Sequence, residues 1–125
     1  MLARATLMIL ALLMPEVAHA KDVAPPDWTD VSGIFKERCI MCHSAVAGAS
    51  KGLRLDDYAA AIAGSERGAV LVPGDPEGSE LVRRLSGKSA PRMPFLSRPL
   101  PADQIAIIES WIAAGMPFES AVQQR

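Results

Sequence analysis

Cys39-Ile40-Met41-Cys42-His43 brings two thiols and an imidazole together within one short stretch. Spaced i and i+3, the two cysteines fall on one face of a helical turn. Each thiol can add to one vinyl group of a haem, giving two thioethers, and His43 is then delivered to the iron as an axial ligand. C-x-x-C-H is the signature of covalent haem attachment. Two other chemistries compete for these residues. A Cys39–Cys42 disulfide of thioredoxin type needs a βαβ pattern, which the chain does not show. A structural zinc site needs four ligands, and Cys39, Cys42 and His43 supply three.

A haem iron held by one His has a second axial position. The chain contains one other His, His19, which falls in a segment expected to be removed. The sixth ligand is then Met, a rarer group, water or nothing. Three methionines lie beyond the leader: Met41, Met93 and Met116. Met41 sits between the thioether cysteines and is tied to the wrong face. Met116 follows Gly115 and reads as a core contact. Met93 lies in Pro91-Arg92-Met93-Pro94, inside a Pro-rich loop and far enough beyond His43 for the chain to wrap the haem edge. His/Met ligation is the usual arrangement in such centres, which makes Met93 the expected distal ligand.

The elements that must position these residues follow from pattern. Residues 1–20 read as a secretory signal peptide: Arg4, an apolar run from Leu7 to Met14, Pro15, and Ala18-His19-Ala20 as the cleavage site. The apolar run is well short of the ~20 residues that span a bilayer. Residues 21–30 form a Pro-containing lead-in, and 31–125 the folded domain. Thr29 or Asp30 is expected to cap a first helix with Val31, Ile34 and Phe35 inward. That helix runs into the haem motif. Asp56 is expected to cap a short helix over 57–63, stopped by Gly64. Asp75 and Pro76 are expected to open a third, through Leu81, Val82 and Leu85. Lys88–Pro101 carries four prolines and reads as loop. Ala102–Ala114, with Ile105, Ile108, Trp111 and Ile112 at helical spacing, is the clearest helix. The fold class is all-α: four to five short helices and long loops around one covalent haem c. Formal net charge is −1, which suggests neither nucleic acid nor an anionic membrane surface as a partner. Leu53, Leu55, Phe95, Ile105, Ile108 and Trp111 are candidates for the haem pocket. Arg54, Arg92 and Arg98 are candidates for pairing with its propionates.

In this order, several motifs carry a resemblance: Ile34-Phe35 before Cys39-Ile40-Met41-Cys42-His43-Ser44, then Lys51-Gly52-Leu53-Arg54-Leu55-Asp56. After these come Val72-Pro73-Gly74-Asp75-Pro76, Arg92-Met93-Pro94, and Trp111-Ile112 with Ala114-Gly115. The chain resembles a class I monohaem cytochrome c, and more closely the short planctomycete-type cytochrome c domain. The resemblance implies Cys39 and Cys42 as thioether sites, His43 as proximal and Met93 as distal ligand, and it favours Trp111 as a packing residue of the haem. Two departures stand out. Phe95 follows Met93-Pro94 where the family commonly has a second proline, and Ala63-Gly64 stands where it commonly has Gly-Gly. The expected function is single-electron transfer without enzymatic activity, in the periplasm. Expected partners are redox proteins such as an exported dehydrogenase or a respiratory-chain component, with no membrane span after signal cleavage. The alternative is a haem-based ligand-binding, sensor or peroxidase-like domain, which needs the distal Met to be displaceable.

Overall fold

The computed structural model describes residues 23–120; the signal peptide expected over 1–20 lies outside them. Four α-helices follow in order: α1 (Trp28–Arg38), α2 (Tyr58–Ala63), α3 (Glu80–Leu85) and α4 (Ala102–Ala113). A single 3-10 turn, Ser50–Gly52, lies between α1 and α2. Among the described residues there is no strand, only an isolated bridge between Ser65 and Gly68. The architecture is all-α.

α1 begins earlier than its hydrophobic stripe suggests. Asp27 accepts the Thr29 amide at 2.8 Å, and Asp30 accepts the Asp27 amide at 2.9 Å. The two form a reciprocal capping box. Asp27 is therefore the cap, and Asp30 is its partner one turn in, not the cap itself. The earlier start places Trp28 on the first turn. Val31, Ile34 and Phe35 are buried, as the stripe requires. Gly33 faces open space, so it weakens the helix without leaving a packing gap.

α1 and α3 both pack on α4. From α4, Ile108, Trp111 and Ile112 are buried. Trp28 lies at the centre of an aromatic cluster, 5.9 Å from Phe35, 5.5 Å from Tyr58 and 5.9 Å from Trp111 between ring centroids. Phe118 packs on Tyr58 at 5.1 Å. Hydrogen bonds then tie the segment after α4 across this cluster. Tyr58 Oη donates to Met116 O at 2.8 Å, Trp111 Nε1 to Pro117 O at 3.0 Å, and the Ser120 amide to Asp27 Oδ2 at 3.2 Å.

The two short helices each depart from the sequence expectation. α2 is capped by Asp57, whose Oδ1 accepts the Ala60 amide at 2.9 Å, and not by Asp56. It ends at Gly64, with φ +89. A Cβ there would run into Gly68 O and come within 2.7 Å of Ala69 Cα. Only Gly64 of the Ala63-Gly64 pair therefore needs to be glycine; Ala63 is an exposed helical residue. α3 starts after Ser79, not at Pro76. Asp75 and Pro76 instead build a turn, with the Gly78 amide on Asp75 Oδ1 at 2.9 Å and the Ser79 amide on Pro76 O at 3.2 Å. The fully buried Ser79 Oγ donates to Asp75 O at 2.8 Å and accepts the Val72 amide at 2.9 Å. That turn docks on α4: the Gly74 amide donates to Ile112 O at 2.8 Å, a carbonyl in the last turn that also accepts the Gly115 amide at 2.9 Å. Residues 86–101 are irregular, as their prolines require.

Candidate functional site

The Cys-x-x-Cys-His stretch forms one further turn beyond the end of α1. Cys39 caps the helix, its amide on Phe35 O at 2.8 Å. The Cys42 and His43 amides both return to Cys39 O, at 3.2 and 3.0 Å. The following loop folds back and holds this turn. Ser50 N donates to Cys42 O at 2.8 Å, Leu55 N to His43 O at 2.8 Å, and Ala45 N to Asp56 Oδ2 at 3.2 Å. Arg54 Nε pairs with Asp56 Oδ1 at 3.1 Å. That hydrogen bond holds the Asp56 carboxyl below its ordinary value, against the desolvation that would raise it. The ring of His43 is oriented by the same segment: Nδ1 lies 3.3 Å from Leu53 O. With Nδ1–H donated to that carbonyl, Nε2 carries the lone pair, the tautomer of a metal-ligating imidazole. Leu53-Arg54-Leu55-Asp56 is thus a backbone cradle for His43.

Beside this turn lies a cavity of about 1480 Å³. Phe35, Leu53, Leu55, Val70, Leu81 and Leu85 form its apolar wall. Cys39, Cys42, His43 and Met93 all line it. Ordinary small-molecule pockets run to ~300–1,000 Å³, so the space is large for a simple metabolite. Its volume, apolar wall, two unbridged thiols, oriented imidazole and thioether sulfur fit a haem.

The competing chemistries do not fit. Both cysteines are free thiols, Cys39 half-buried and Cys42 exposed. Burial pushes the Cys39 thiol up to about 11, only partly offset by the nearby Arg38 charge. A catalytic dithiol needs the opposite shift, toward thiolate. No group of three or more His, Cys, Asp or Glu side chains among the described residues is arranged to hold a metal ion.

The three methionines are set apart. Met93 is half-buried on the cavity wall, with its amide on Arg84 O at 3.0 Å. Met116 is 3% exposed and belongs to the core, away from the cavity lining. Met41 lies at the cavity but is 87% exposed. Among the pocket candidates, Leu53, Leu55 and Phe95 line the cavity, whereas Ile105, Ile108 and Trp111 do not. Trp111 is fully buried against Trp28, because the inner face of α4 meets α1. Arg54, Arg92 and Arg98 are likewise off the lining; Arg38, Arg67 and Arg84 are on it. Phe35, Val70, Leu81 and Leu85 were legible as apolar positions, but nothing in their spacing said that they face a cavity. Arg84 also organises the loop that carries Met93. It bonds Glu80 Oε1 through Nε at 2.6 Å and Pro91 O through Nη1 at 3.3 Å. The Arg84 hydrogen bond holds the Glu80 carboxyl below its ordinary value, against desolvation that would raise it.

Comparison with known proteins agrees with this geometry. Residues 39–94 match the family described as Planctomycete cytochrome C. The match runs from the first cysteine of the motif to Met93-Pro94, taking in α2, the Pro-Gly-Asp-Pro turn and α3, and leaving out α1 and α4. Over these residues the chain is similar to a planctomycete-type cytochrome c domain, and the likeness points to a haem-binding cytochrome. No curated protein and no solved structure matches the chain.

Proposed function

We propose that this chain is an exported c-type cytochrome that carries single electrons between periplasmic or membrane-bound redox partners. The observation that carries the reading is that His43 and Met93, from two separate loops, line one apolar-walled cavity with Cys39 and Cys42. Cys39 and Cys42 hold one haem through two thioethers. His43 presents Nε2, kept in the ligand tautomer by Leu53 O. Met93 presents its sulfur from the Pro-rich loop and occupies the position a substrate would need. A haem held by this pair supplies one-electron exchange, and the Met ligand raises its reduction potential. Export is supported by the leader pattern over 1–20, and no helix among the described residues is long and apolar enough to cross a membrane. An exported dehydrogenase or a respiratory-chain component is the fitting class of partner.

The test is the ferric spectrum of protein made with a cytochrome c maturation system. Wild type should be low-spin with the weak far-red band of a sulfur–iron bond. Met93→Ala should lose the band, bind added ligands and have a lower potential; Met116→Ala should keep the band. Loss of the band in Met116→Ala but not in Met93→Ala reassigns the ligand. A high-spin wild type that binds cyanide at once overturns the electron-carrier reading in favour of a ligand-binding one.

A further inference from the structure

α3 holds the Met93 loop at more points than chain connectivity requires. The Met93 amide donates to Arg84 O at 3.0 Å, and Arg84 Nη1 reaches Pro91 O at 3.3 Å. The guanidinium is aimed by Glu80, Nε to Oε1 at 2.6 Å. The other Glu80 oxygen accepts Ser89 Oγ at 3.1 Å. Ser89 is held again by Arg83, through its amide on Arg83 O at 3.0 Å and through Arg83 Nε on its Oγ at 3.2 Å. One face of a six-residue helix thus grips the loop at Ser89, Pro91 and Met93. The Glu80 and Arg84 side chains are 39% and 29% exposed. Half-exposed ion pairs of this kind add little to global stability, so their effect should appear locally, on the loop they join.

We propose that Glu80 and Arg84 are positioning residues for Met93, forming a clasp that sets how readily the Met93 sulfur leaves the haem iron. This rests on Met93 being the distal ligand. With the clasp closed, the loop stays near its ligating conformation, and an external ligand must displace a sulfur that cannot move far. With the clasp open, the loop keeps the Met93–Arg84 backbone bond and the Arg83 bonds to Ser89, but loses the hold of Arg84 on Pro91 and of Glu80 on Ser89. Met93 still ligates at rest and yields more easily to a competitor.

The experiment titrates ferric holoprotein with imidazole and follows the far-red band. Arg84→Gln and Glu80→Ala should each retain the band without imidazole, and should bind imidazole about tenfold more tightly, as expected for loss of a charged hydrogen bond. Ser89→Ala, a smaller change at the surface, should shift affinity in the same direction by a lesser factor. In a Met93→Ala background, Arg84→Gln should leave imidazole affinity unchanged, because the clasp acts only through Met93. Wild-type affinity in all three single variants overturns the proposal and leaves the ligand assignment standing. An equal Arg84→Gln effect with and without Met93 also overturns it, since Arg84 would then act on the cavity directly. Survival of the band in Met93→Ala overturns the ligand assignment itself, and the clasp with it.

Discussion

The two ends of this molecule bury apolar surface in opposite ways. At one end, Trp28, Phe35, Tyr58, Trp111 and Phe118 pack ring on ring, with centroids 5.1–5.9 Å apart. There the chain fills its own interior, and Asp27, Tyr58 and Trp111 fasten the segment after α4 across it. At the other end, Leu53, Leu55, Val70, Leu81 and Leu85 face a cavity of about 1480 Å³. Their hydrophobic gain, of order 25 cal/mol per Å², depends on something other than protein covering them. The family match, over 39–94, takes in these five cavity residues and, of the aromatic end, Tyr58 alone. The aromatic end supplies a scaffold that is complete in itself; the cavity end is complete only with its cofactor. Phe35 bridges the two, packing on Trp28 and lining the cavity.

The largest effect should come from removing the cofactor. Cys39→Ala/Cys42→Ala apoprotein should lose the cooperative thermal transition of the holoprotein, and its amides over 39–94 should exchange rapidly with solvent. Residual protection, where present, should be confined to α1 and α4. Circular dichroism and hydrogen exchange measure both. An apoprotein melting like the holoprotein would erase the distinction between the two ends.

Trp111→Ala attacks the other end. Trp111 is fully buried and is not among the residues that line the cavity. Its truncation should cost about 3–5 kcal/mol. Denaturant unfolding of holoprotein reads the loss. The far-red band of the folded fraction should be unchanged; its disappearance would mean that α4 supports the ligand loop directly.

The smallest effect concerns Asp27. Asp27→Ala should cost ~0.5–2 kcal/mol, as loss of a helix cap does. Burial alone would raise this carboxyl, but the amides of Thr29, Ser120 and Asp30 outweigh it and hold it below its ordinary value. A carboxyl depressed in the folded state stabilises in full above its unfolded value, about 3.9. That stability is lost as pH falls through the folded value. Wild type should therefore lose its advantage over Asp27→Asn as pH drops below ~4. Urea titrations of both at a series of pH values check this; a gap that stays constant with pH would remove the charge from the explanation.

How much was legible in the sequence varies by residue. The haem motif could be read at once, because two thioethers and a proximal imidazole demand a fixed local spacing. Met93 stood out by elimination. α4 was visible from its period, and the Pro-rich stretch over 88–101 as a loop. The helix starts were less legible. Asp27, Thr29 and Asp30 can all cap, as can Asp56 and Asp57, and the choice depends on which backbone amides the rest of the fold leaves free. Asp56 is occupied by Ala45 and Arg54; Ser79 closes a turn before α3 begins.

Sequence alone thus pointed to a haem, through residue types at fixed separations, and determined the helical class, through periodicity. Tertiary structure decided which apolar face meets protein and which meets the cavity. Trp111 and Leu81 both stand at apolar positions of helical spacing, yet one seals the aromatic end and the other lines the cavity. Periodicity reports that a face leaves water, and burial against a neighbouring helix or against a cofactor satisfies it equally. It also decided that Arg38, Arg67 and Arg84, and not Arg54, Arg92 or Arg98, border the site. A charge has no period, and its partner is whatever the folded backbone brings within reach.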